Sequence, residues 1–198
     1  MRKNYRKDIK FIPTLLHEFE FEDVDRLLEL NKSINKLSLG KGLMPSKNAL
    51  LRGSIVLIVA RIEKFVEELF EWAAEKVFKN LTEDELIQYY KISSRKFNTP
   101  NSDNINKLFL GIGFSNIMSK IHHDSAKNKV IVKKLVEIVN KRHDIAHGKI
   151  GGMLRADRKF SATTNQVVAW KDFAVKFMYQ LEKVVSTILY EEKYIMKK

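Results

Sequence analysis

Residues 46–79 read SKNALLRGSIVLIVARIEKFVEELFEWAAEKVFK. Leu51, Ile55, Ile58, Ile62, Phe65, Leu69, Ala73 and Val77 recur every three or four positions, close to a heptad seam. That is the spacing of one face of an α-helix, not the alternation of a strand. The stretch therefore predicts one long helix from about Ser46 to Lys79, with an apolar stripe that other helices must cover. Its longest clean apolar run, Ile55 to Ala60, is far too short to span a membrane.

The same periodicity extends outward in both directions. A first helix follows Pro13 and carries Leu15, Phe19, Val24, Leu27, Leu28 and Ile34; the stretch Gly40-Lys-Gly42-Leu-Met-Pro45 ends it. Residues 1–44 thus read as a helical appendage to a bundle domain over 45–198. Thr82-x-x-Glu85 is a capping box opening a short helix to about Lys91. Residues 93–104 read as a loop and 104–110 as a short helix, broken by Gly111-Ile-Gly113. Asp124 is placed to cap the next helix and Gly148 to stop it. A loop from Gly151-Gly152 leads to a second capping box, Thr163-x-x-Gln166. The last helix carries Trp170, Phe173, Phe177, Leu181, Val184 and Ile188 on one face. The expected fold is all-α: a bundle of long antiparallel helices with short helices between them.

Composition narrows the chemistry. The chain of 198 residues is 44% hydrophobic, enough for a real core, and has no cysteine. Disulfides, thiolate zinc sites and cysteine nucleophiles are excluded together. The start, Met1-Arg-Lys-Asn-Tyr-Arg-Lys, is basic but no apolar segment follows it, so no secretory signal is read and a cytoplasmic location is expected. A net charge of +12 points to a polyanionic partner, RNA or DNA first and an acidic protein second. Lysine-rich solvated faces account for part of that charge.

Residues 130–148, VIVKKLVEIVNKRHDIAHG, hold the candidate site. Ile131, Leu135 and Ile138 form one helical column, and Val132, Val136 and Val139 the next. One turn further on, the occupants are Arg142 and His143. A guanidinium and an imidazole stand where aliphatic side chains are due, the kind of broken local rule that marks a function or a face leaving the core. His147 lies four residues beyond His143, on the same side of the helix. Arg142 is about 140° away from His147 on the helical wheel, within reach of a long side chain. An arginine and two histidines at a helix end also complement the negative pole of the helix dipole.

Arg142-x4-His147 with a polar residue after the arginine resembles the motif of the HEPN superfamily. The string Arg-His-Asp-Ile-Ala-His-Gly is similar to its RiboL-PSP and MAE-type branches. Leu51-Arg-Gly-Ser-Ile-Val-Leu-Ile-Val-Ala-Arg-Ile-Glu-Lys-Phe resembles their long helix, and Phe97-Asn-Thr-Pro100 with Ile105-Asn-Lys-Leu-Phe109 and Gly113 their middle region. The likeness covers roughly residues 45–190. It implies a metal-independent endoribonuclease without cofactor, working as a homodimer in which the two motifs meet across the interface. It also implies a toxin, or an effector of stress or phage defence, that an antitoxin protein can restrain. Non-catalytic members of the superfamily make a helical module that binds RNA or an acidic protein the alternative.

The residue types suit RNA cleavage. RNA carries its own nucleophile, the 2′-hydroxyl, which needs deprotonation beside a phosphate. Imidazole is the side chain whose ordinary pKa lies nearest neutrality, so His147 is the expected proton-transfer group and His143 a second acid, base or orienting group. Arg142 is expected to hold the phosphate by paired hydrogen bonds. Lys141 and Lys149 flank the motif as phosphate ligands; Asp144 either orients an imidazole at the substrate or faces solvent.

Other histidines carry less. His143 and His147 have the spacing of two metal ligands on a helix, but Asp144 stands where a metalloprotease-type motif has Glu, and no third ligand is visible. No metal is expected. His122-His123 reads as loop surface or an RNA contact, and His17 as structural or exposed. No tyrosine follows His147 closely, which discounts control by tyrosine nucleotidylation.

Overall fold

The computed structural model describes residues 21–36, 44–94, 97–122, 128–147 and 162–195. They form six α-helices and one 3-10 helix: α1 (Glu22–Lys36), α2 (Met44–Val77), α3 (Glu83–Ser94), α4 (Ser102–Leu110), η1 (Ile117–Lys120), α5 (Asn128–Ala146) and α6 (Thr164–Ile195). No strand occurs among the described residues. The all-α bundle read from the sequence is the fold found, and no described helix is long and apolar enough to cross a membrane.

The long helix α2 is the axis of the bundle. Leu51, Ile55, Ile58, Ile62, Phe65, Leu69 and Ala73 are buried as the stripe requires, and so are Val59, Val66, Phe70 and Ala74 beside it. The buried band is two columns wide because α2 is covered from several sides, chiefly by α1, α6 and α5 and also by α3 and α4. Val24 and Leu28 of α1, a helix the sequence reading set in an appendage, lie in the same core cluster. Buried Asn31 ties the three helices: its Nδ2 donates to the Lys47 carbonyl at 3.0 Å, and its Oδ1 accepts from the Thr164 hydroxyl at 2.9 Å. Lys171 of α6 adds an ion pair to Asp25 of α1 at 2.5 Å.

Local signals explain the helix ends. The Glu85 carboxylate accepts from the Thr82 backbone N–H at 2.8 Å and from its hydroxyl at 2.9 Å, closing the box that opens α3. The second box is only half closed. The Gln166 N–H donates to the Thr163 hydroxyl, but the Gln166 amide turns to Glu137 of α5. Asn101 caps α4 by accepting from the Asn104 N–H at 2.8 Å. After α4 the chain turns through Gly113, whose φ of +88° disfavours a residue with a Cβ. Asp124, Gly148 and residues 151–161 lie outside the described residues. At the start of α5 the Asn128 side-chain amide donates to the carbonyls of Met118 and Ile121, pinning α5 to η1.

Candidate functional site

The site lies at the far end of α5. This helix buries Ile131, Leu135, Ile138 and Val139 against the core. Arg142 continues the inner column, four residues after Ile138, and is half-buried at the edge of α2. The second predicted column is corrected: Val136 is 38% exposed and Val132 only partly covered. With Val136 as origin on the helical wheel, Val132, Asn140, His143 and His147 all fall within about 40°. The outward face of α5 is thus an apolar strip leading into two imidazoles.

Arg142 and His143 line a small cleft with Val59 and Glu63 of α2, Val139 of α5, and Asn98, Thr99 and Pro100 of the loop before α4. Its free volume is about 10 Å³, room for about one water-sized group. It can admit a phosphate oxygen but not a nucleotide. Burial raises the Glu63 carboxyl above its ordinary range, and the positive charge of Arg142 works against that rise. Burial also raises Glu67 and Glu71, the next two carboxyls on the same row of α2, and each feels the acids around it.

The His147 ring meets the His143 ring at 4.1 Å between centroids, tilted by 51°. The His147 N–H still donates to the His143 carbonyl at 3.0 Å, so the helical turn carries through to the second histidine. Both rings are exposed. His143 alone belongs both to this pair and to the Arg142 cleft; His147 does not line the cleft. Asp144 and Lys141 are half-covered, and neither lines the cleft; Lys149 lies outside the described residues. Among the described residues, no three His, Asp or Glu side chains gather to hold a metal ion.

Glu63, Asn98 and Thr99 were not singled out as site residues by the sequence. Glu63 follows Ile62 in a helix rich in glutamate, with nothing local to distinguish it from Glu67 or Glu68. Asn98 and Thr99 were legible only as part of the Phe97-Asn-Thr-Pro100 likeness.

The family model described as RiboL-PSP-HEPN matches residues 22–187. The chain belongs to the RiboL-PSP-HEPN family. The match takes in every described helix from α1 to most of α6. No curated protein and no solved structure matches the chain. HEPN domains are often RNases or otherwise act with RNA.

Proposed function

We propose that this HEPN domain is a metal-independent endoribonuclease. The observation that supports it best is the continuity of three groups at the end of α5: Arg142 in its cleft, His143 at the rim, and His147 in ring contact with His143. In this reading one imidazole takes the proton of the 2′-hydroxyl. The freed oxygen attacks the adjacent phosphorus, the bond to the 5′-oxygen breaks, and a second imidazole protonates the departing oxygen. Arg142 holds the phosphate as charge builds on it. Lys141, Asp144 and Lys149 belong to the surrounding RNA contacts. The products are a 2′,3′-cyclic phosphate and a 5′-hydroxyl end.

The active form in this proposal is a homodimer with a composite site. The cleft of one protomer is too small for a nucleotide, and His147 does not line it. The strip of Val132 and Val136 beside the histidines suits pairing with a second copy. The resemblance carries the further proposal that the enzyme is a toxin or phage-defence effector held by an antitoxin protein.

The test is incubation of purified protein with RNA in excess EDTA, with chemical analysis of the new ends. Cyclic phosphate ends are expected. If EDTA abolishes cleavage, a metal mechanism through His143 and His147 replaces this one. If the folded protein binds RNA and cleaves none, the domain is a non-catalytic RNA-binding module.

A further inference from the structure

A second polar surface lies at the other end of α5, where α6 runs past η1. α5 is 19 residues long, about 28 Å at 1.5 Å per residue, so its two ends are well separated. Here α6 and the η1 turn border an open cleft of about 560 Å³. Lys120 and His122 border it from the η1 side and Lys183 from α6. Gln180 and Thr187 add hydrogen-bonding groups, and Val184 and Ile188 an apolar floor. Among the described residues of the lining, Glu191 is the one acidic group.

The outward face of α6 extends this cleft. Tyr179 is 48% exposed and Tyr190 58% exposed, both far more open than the core aromatics Trp170 and Phe177 on the same helix. With Lys176 as origin on the wheel, Tyr179, Gln180, Lys183, Thr187 and Tyr190 fall within about 100° of one another. Aromatic rings and cations therefore alternate along one solvent-facing stripe that borders a preformed cleft. Exposed tyrosines give the bases of a single strand a face to stack on, and lysines at intervals meet the phosphates between. A single strand alternates bases and phosphates, and the stripe alternates rings and cations in the same way.

We propose that this face of α6, with the cleft it forms against η1, binds single-stranded RNA. Tyr179 and Tyr190 stack bases, and Lys120 and Lys183 contact phosphates. The proposal builds on the reading of the domain as RNA-directed, and it supplies an anchoring surface for a strand whose scissile bond lies at Arg142 and His147.

The probe is a 2′-O-methyl oligonucleotide of roughly twelve residues, inside the footprint of about 4–16 nucleotides of such grooves. It lacks the nucleophile, so binding is read apart from cleavage. Tyr179→Ala and Tyr190→Ala should each weaken binding by about 5- to 150-fold, while Tyr179→Phe and Tyr190→Phe should bind nearly as wild type. Lys120→Ala combined with Lys183→Ala should flatten the salt dependence by about 1.4, at about 0.7 per phosphate contact. Lys32→Ala with Lys76→Ala removes the same charge from α1 and α2 and should do much less. The proposal is overturned if the tyrosine variants bind as wild type, or if the control lysines cost as much as Lys120 and Lys183. Protein that binds through this face yet cleaves nothing overturns the ribonuclease and leaves the surface standing. Protein that cleaves RNA while these variants bind unchanged does the reverse.

Discussion

Replacing His147 by alanine separates chemistry from folding, because the two effects differ greatly in size. A positioned general acid or base contributes about 10²–10⁴-fold, or about 3–5 kcal/mol of transition-state stabilisation. On the folding side His147 is exposed, one residue past the end of α5, and its ring contact is with another exposed ring. Losing such a surface contact costs about 0.5 kcal/mol. Losing a favourable position at the helix C-terminus adds about 0.3–1 kcal/mol. Against a domain stability of about 5–15 kcal/mol, the sum of roughly 1–1.5 kcal/mol leaves over ~99% of the molecules folded. Folding can therefore explain a loss of activity of about 1%, not about 100-fold. The assay is the initial rate on a fluorogenic RNA in EDTA, paired with thermal melting of the same samples. His143→Ala belongs beside it: if the touching rings act as a unit, the double variant should fall little below the worse single variant. A folded His147→Ala protein that keeps more than about a tenth of the wild-type rate would refute the reasoning, leaving His147 as a helix-end surface residue.

Arg142→Lys should restore less than about a tenth of the rate lost in Arg142→Ala, because an ammonium cannot make the paired contact to phosphate; initial rates decide it. Mixing Arg142→Ala and His147→Ala proteins should recover roughly a quarter of wild-type activity if each site takes its arginine and histidine from different protomers of a two-fold dimer, and none if it does not. Glu67→Gln should raise the melting temperature at neutral pH. The Glu67 carboxyl is raised by burial and by Glu63, so the folded state holds its proton more tightly than the unfolded chain. Stability then falls as pH rises through the interval above the ordinary 4.5, and the gain from glutamine should vanish once the pH drops below it. Gly113→Ala should destabilise the domain by about 1–2 kcal/mol in denaturant melts, because the φ of +88° is strained for any side chain even though nothing crowds the position.

Periodicity alone placed α2, α5 and α6 and the box that opens α3, since helix spacing, capping and glycine breaks depend on residues only a few positions apart. It also placed Arg142, His143 and His147 at a helix end, with the two imidazoles on one side. It could not decide how much of the second apolar column of α5 would be covered. Val136 and Val139 look alike in sequence, and only the packing against α2 buries one and leaves the other open. Nor could it single out Glu63 among the glutamates of α2, because its distinction is the Arg142 charge brought up from residues far along the chain. The tyrosines of α6 carry the same lesson. At helical spacing an aromatic is core by default, and only the tertiary structure shows that Trp170 and Phe177 have helices to pack on while Tyr179 and Tyr190 face solvent. What is local in the chain fixes where helices start, stop and turn a face; what lies opposite that face is set by distant segments, and burial, charge coupling and clefts exist only once those segments meet.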